Sequence, residues 1–145
     1  FIGASPGSPG GGIKTTTFMT LIGSVISMVR GREDVVLFQF RLGKERIYHA
    51  LTITMSAIFF VVGVTMLLST TEDHHFMMIL FETTSAFGTV GLSLGLTPDL
   101  TDFGKMVILL TMFAGRVGLL TLVIALGPKP SKELFRYPEG KMMIG

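Results

Sequence analysis

The chain has 145 residues, a net charge of +2 and no cysteine. Hydrophobic residues make up 48% of it and charged residues only 15%, against about 25% charge in typical soluble domains. This composition speaks against a water-soluble enzyme. The lack of cysteine excludes disulfides, thiolate nucleophiles and cysteine-held metals, and so small a net charge gives no reason to expect nucleic acid as a partner. The chain opens on Phe1, inside a Gly-rich apolar stretch without a signal-peptide pattern, and so reads as a fragment of a larger fold.

Residues 1–29 come first. Gly3, Gly7, Gly10, Gly11 and Gly12, with Pro6 and Pro9 between them, preclude a regular helix. A phosphate-binding GxxxxGK[ST] loop needs Gly beside Lys; Gly12-Ile13-Lys14-Thr15 does not supply it, and the flanks are apolar as in a membrane segment. The run TTTFMTLIGSVISMV at 15–29 is about half to two-thirds of a membrane span. The glycine stretch is expected to supply the remaining depth in a non-helical form.

Residues 30–46 carry Arg30, Arg32, Arg41, Lys44 and Arg46 against Glu33, Asp34 and Glu45, and read as a cytoplasmic connector. Residues 47–71 hold no Asp, Glu, Lys or Arg. A helix of that length spans about 37 Å, enough for a hydrocarbon core of about 30 Å. Residues 72–105 carry Glu72, Asp73, Glu82, Asp99 and Asp102 against Lys105 alone, and belong outside by the positive-inside rule. Within them HFMMILFETTSAF is apolar but too short to cross, as a re-entrant helix is. GTVGLSLGLTPDL follows, a Gly-Thr loop with Pro98 as a breaker. Residues 106–128 form a second predicted span with one charge, Arg116, and the basic tail 129–145 returns to the cytoplasm.

The loop after the short helix carries the chemistry. Backbone that re-enters a bilayer is tolerated only when buried in protein or lining a wet cavity. Gly88 and Gly91 let successive carbonyls turn to one side, and a column of carbonyls replaces the water shell of a dehydrated cation. Thr89, Val90, Gly91 and Leu92 are the candidate ion-binding residues, through their main-chain oxygens. The short helix aims its negative C-terminal end at the same place. Glu72, Asp73, Asp99 and Asp102 are expected to concentrate cations at the outer mouth.

Several polar residues have two readings. Arg116 falls near the middle of its span, where insertion costs about 2.5–3.5 kcal/mol. It is either a pore-facing cation that contacts the glycine loop and repels ions, or a clamp paired with backbone or Glu82. Lys14 either caps carbonyls of the glycine run or approaches the pore, or simply starts the helix after it. Glu82 reads as structural. His74 and His75, adjacent beside Glu72 and Asp73, mark a helix start, since adjacent side chains do not converge on one metal. Gly115 and Gly118, with Ala114, allow close helix approach.

TSAFGTVGLS at 84–93, GRVGLLTL at 115–122, FIGASPGSPGGGIKTTTF at 1–18 and YPEGKMMIG at 137–145 together resemble the C-terminal part of a KtrB-type potassium transporter membrane subunit, in the Trk/Ktr/HKT superfamily. The resemblance implies an all-α integral membrane fold. It contains the broken inner helix of one repeat and then one complete helix–pore loop–helix repeat of a four-repeat channel-like protein. It implies potassium uptake across the bacterial cell membrane, K⁺ held by the backbone of Thr89, Val90 and Gly91, Na⁺ influencing transport, and no covalent cofactor. Gly10, Gly11, Gly12, Lys14 and Arg116 become the gate. A homodimer, surrounding lipid and a cytoplasmic nucleotide-binding ring subunit of KtrA type become the partners. Leu92-Ser93 departs from the Tyr-Gly of a TVGYG filter, and Pro9 stands where family members more often carry Ser-Thr. The alternatives are a two-span homotetrameric cation channel and a nucleotide-using membrane transport subunit.

Overall fold

A computed structural model describes residues 1–3, 5, 7–8, 10–31, 36–37 and 40–118. Five helices make up nearly all of it: α1 (Thr15–Val29), α2 (Lys44–Thr71), α3 (Phe76–Gly88), the single turn α4 (Leu96–Asp99) and α5 (Asp102–Val117). Between α1 and α2 a small hairpin pairs β1 (Val36–Leu37) antiparallel to β2 (Phe40–Arg41), with Val36 opposite Arg41 and Leu37 opposite Phe40. The sequence reading of the connector did not include this pairing. The tail 129–145, residues 119–128 of the second expected span, and Ala4, Pro6 and Pro9 lie outside the described residues.

Among the described residues α2 is the one helix long and apolar enough to cross a membrane; α1 and α3 are apolar but shorter. α2 begins three residues before the uncharged run, because Lys44, Glu45 and Arg46 add a charged first turn to it. Its polar side chains fold back on the helix. The hydroxyls of Thr52, Thr54, Ser56 and Thr65 donate to carbonyls one turn earlier, at 2.8–2.9 Å. Hydroxyls satisfied in this way can face an apolar environment without an unpaired donor.

α5 starts at Asp102, four residues before the predicted span. The Thr101 side chain caps it by accepting from the Gly104 N–H at 3.1 Å, as an N-cap hydroxyl does. It stops at Gly118, whose φ of 90° and ψ of 125° are not helical. Pro98, expected only to break structure, sits inside α4, where a first turn has no need of its N–H.

α3 lies at the centre, packed against both α2 and α5. One apolar cluster joins Leu68, Ile79, Ala86, Leu96, Leu100 and Ile108. A second joins Ile13, Ala57, Val61 and Phe87, with Phe1, Phe60 and Leu80 against it. The Phe87 ring lies 5.9 Å from that of Phe1 and 6.0 Å from that of Phe60, within the range for favourable aromatic pairs. Phe87 thereby ties the last turn of α3 to the start of the chain and to the middle of α2.

Candidate ion-binding loop

The loop begins where α3 ends. The Thr89 N–H donates to the Ala86 carbonyl at 3.0 Å and the Val90 N–H to the Ser85 carbonyl at 3.1 Å. This is the Schellman closure, which needs a left-handed residue at Thr89. Thr89 has φ 51° and ψ 38°, and is the one non-glycine with positive φ among the described residues. Glycine is the usual occupant there, and an L-residue costs about 1–2 kcal/mol more. What threonine adds is a hydroxyl. Its Oγ1 accepts a hydrogen bond at 2.7 Å from the Gly11 N–H, 78 residues earlier in the chain.

That bond sets the glycine run beneath the end of α3. The run is closed at its base: the Gly3 N–H donates to the Ile13 carbonyl at 2.8 Å and the Ile13 N–H to the Phe1 carbonyl at 3.2 Å. Gly11 is buried, and a Cβ there would fall 2.8 Å from Thr89 Cγ2 and 2.9 Å from the Phe87 carbonyl oxygen. The Gly12 N–H donates to the Gly115 carbonyl on α5 at 3.2 Å. Lys14 Nζ donates back to the Gly10 carbonyl at 2.5 Å while the residue stands at the N-cap of α1, so it both caps the run and starts the helix. The amides of Gly11 and Gly12 are thus spent on Thr89 and Gly115. They are not gathered around an anion, as a phosphate cradle requires.

Gly115 is the other close approach. Its Cβ would lie 2.0 Å from the Phe87 carbonyl oxygen, so α5 crosses α3 with backbone against backbone. The expectation of close helix approach through Gly115 and Ala114 meets the structure here, whereas Gly118 ends the helix. Arg116 is exposed and has no hydrogen bond or ion pair among the described residues. Among the described residues its side chain makes no hydrogen bond to the glycine loop and no ion pair with Glu82. The main chain of its neighbour Gly115, not the Arg116 side chain, touches the loop.

Beyond Thr89 the chain runs exposed through Val90, Gly91, Leu92 and Ser93, with Gly91 at φ 78°. Among the described residues no hydrogen bond is made to the carbonyls of Thr89, Val90 or Gly91. Leu92 differs from its three predecessors, because its carbonyl accepts from the Ser85 hydroxyl at 2.5 Å. Glu82, one turn back on α3 and only 5% exposed, accepts from Ser93 Oγ at 2.8 Å and from Thr97 Oγ1. Sequence reasoning placed Glu82 as structural and did not single out Ser85 or Thr97. The available signal was polar residues at i and i+3 on a short apolar helix, which must find partners.

The acidic groups are divided. Asp73, Asp99 and Asp102 are exposed, as a cation-attracting mouth requires. Glu72 is not part of that mouth: it is 6% exposed and accepts from the Thr101 N–H at 3.2 Å and from the Thr101 hydroxyl. It joins the end of α2 to the start of α5. Its burial follows from Gly104, which leaves the space its carboxylate fills. Among the described residues no group of three or more His, Cys, Asp or Glu is placed to hold a metal ion. His75 caps α3, its Nδ1 accepting from the Met77 N–H at 3.4 Å.

The sequence matches the family model described as "TrkH: Cation transport protein" over residues 1–137. It is 45% identical to Ktr system potassium uptake protein D of Bacillus subtilis and 43% identical to Ktr system potassium uptake protein B of the same organism, over all 145 residues and 32% of each relative. It is 39% identical to the potassium/sodium uptake protein NtpJ of Enterococcus hirae, over the full chain and 34% of that relative. The chain spans about a third of the length of these curated relatives. With a central short helix, a membrane-length helix and a match running through both glycine motifs, the chain belongs to the TrkH cation transport protein family.

Proposed function

We propose that this chain supplies one quarter of the ion filter, and the gate beneath it, of a potassium uptake protein of the bacterial cell membrane. One observation carries the reading. Three consecutive carbonyls, Thr89, Val90 and Gly91, stand without hydrogen-bond donors among the described residues at the C-terminal end of a short apolar helix, and a glycine-run amide touches the first of these residues. Oxygens in that condition are free to replace the hydration shell of K⁺, and the helix end adds partial negative charge. The exposure of residues 90–93 fits a filter wall completed by three further repeats outside this chain. The relatives named for potassium uptake, and the one named for potassium and sodium, support K⁺ as cargo with Na⁺ as a second ion.

In this reading Gly10, Gly11 and Gly12, steadied by Lys14, form the gate, and their shift away from Thr89 and Gly115 opens the path. Arg116, exposed beside the loop contact and without an ion pair among the described residues, adds positive charge that opposes K⁺ while the gate is closed. The connector 30–46 and the tail 129–145 lie on the cytoplasmic side. There a second copy of the subunit and a nucleotide-binding ring subunit of KtrA type complete the assembly, with lipid around the apolar faces. α1, α2 and α5 belong to a multi-pass arrangement.

The test is K⁺ uptake by the full-length protein in transport-deficient cells, wild type against Gly91→Ser. Nothing lies within 4 Å of the Gly91 Cβ position, so the change acts through its positive φ. Strain of about 1–2 kcal/mol corresponds to an affinity loss of about five- to thirtyfold. Unaltered K⁺ affinity and K⁺/Na⁺ discrimination in the variant would remove Gly91 from the filter.

A further inference from the structure

We infer that Ser85 and Glu82 are positioning residues of the filter: from behind it, on α3, they anchor the segment 92–97 and turn the Leu92 carbonyl out of the ion-coordinating set. The inference rests on the filter reading proposed above. It names residues that touch neither ion nor gate yet set how many oxygens this chain offers.

Glu82 and Ser85 are three residues apart, so they share one face of α3, and both are at least nine-tenths buried. The segment running away from Gly91 presents three polar groups to that face in succession. The Leu92 carbonyl accepts from Ser85 Oγ at 2.5 Å. The hydroxyls of Ser93 and Thr97 donate to the two oxygens of Glu82, that of Ser93 at 2.8 Å. Ser93 Oγ also accepts from the Gly95 N–H at 3.1 Å, which fixes the turn where Gly95 reverses the chain into α4. A carboxylate with two oxygens is the one side-chain group that can accept from both hydroxyls and donate to neither. The chain therefore divides after Gly91, with the oxygens of Thr89 to Gly91 unclaimed among the described residues and that of Leu92 held.

Discrimination between K⁺ and Na⁺ by carbonyls depends on how many there are and how firmly they are held. Removing the Ser85 hydroxyl frees a fourth oxygen and loosens the segment that carries it. The result expected is a change in ion preference, which a fault of folding alone does not produce.

The experiment uses the full-length protein in transport-deficient cells. The KM for K⁺, inhibition by Na⁺, maximal rate and membrane abundance are measured for wild type, Ser85→Ala, Ser85→Thr and Glu82→Gln. Ser85→Ala should reduce K⁺/Na⁺ discrimination about three- to tenfold, the range one neutral hydrogen bond supports, with maximal rate per inserted protein held within about twofold. Ser85→Thr, which keeps the hydroxyl, should restore it, and Glu82→Gln should shift preference in the same direction as Ser85→Ala. If Ser85→Ala fails to accumulate, Thr97→Val removes one Glu82 donor from half-buried α4 and carries the same test. Wild-type preference in the variants, with wild type transporting K⁺, overturns the inference alone. Failure of wild type to take up K⁺ overturns the filter reading and this inference with it.

Discussion

Thr89 and Gly115 each sit in backbone surroundings that restrict which residue fits. Thr89 holds a left-handed conformation at a cost of about 1–2 kcal/mol over glycine, and its hydroxyl receives the Gly11 amide. Strain of this kind clusters where function needs a particular group. Gly115 has its α-carbon against the Phe87 carbonyl, with no space for a methyl group. Gly115 and Arg116 are adjacent, and their variants should part company. Gly115→Ala forces α5 away from α3, and overpacking of this kind costs about 1–3 kcal/mol or more. It should lower the melting temperature and membrane abundance of the full-length protein. Arg116→Ala removes an exposed charge that has no ion pair among the described residues. It should leave melting unchanged and raise K⁺ uptake or leak at equal expression; unchanged transport by the folded variant would take Arg116 out of the gate.

At the scale of elements, α3 is too short to cross a membrane and is held by its neighbours. Its lower end is pinned through Phe87 between Phe1 and Phe60. The helices around it are joined at the other end by Glu72, which receives the amide and hydroxyl of Thr101 while that hydroxyl caps α5. One side chain thus serves both the α5 cap and the joint with α2. Thr101→Ala should therefore exceed the usual N-cap loss of about 0.5–2 kcal/mol, because the buried Glu72 carboxylate is left with one donor fewer. Thr101→Ser, which retains the hydroxyl, should recover most of the lost stability in thermal melts of the solubilised full-length protein. Equal melting of wild type and Thr101→Ala would show that the joint contributes nothing.

Across the whole molecule, apolar surface remains uncovered on several helices. Phe59 on α2 is 74% exposed, and Leu109 on α5 is 63% exposed. Exposed apolar surface of this extent marks contact with lipid or with other protein. For α2, whose length and composition suit a bilayer, a charge at Phe59 should be costly, about 2.5–3.5 kcal/mol at the centre of a span. Phe59→Asp should shift the full-length protein out of the membrane fraction, and Phe59→Leu should not. Equal membrane recovery for Phe59→Asp would place that face against protein or water instead of lipid.

The sequence by itself determined α1, α2 and α3 and their order. Apolar runs without charge must become helices wherever water is scarce, and glycine with proline interrupts them, so α1, α2 and α3 and the break before α1 follow from composition along the chain. It also singled out Thr89–Gly91 as candidate ion-binding residues, from glycine beside threonine after a short apolar helix. Only the tertiary structure decided the pairings: Gly11 with Thr89, Glu82 with Ser93 and Thr97, Ser85 with Leu92, and Glu72 with Thr101. Thr101 capping likewise moved the start of α5 back to Asp102. A hydrogen bond depends on distances of a few tenths of an ångström between residues far apart in the chain. Periodicity and composition carry no information at that range, so a buried carboxylate and an exposed one read alike until the chain is folded.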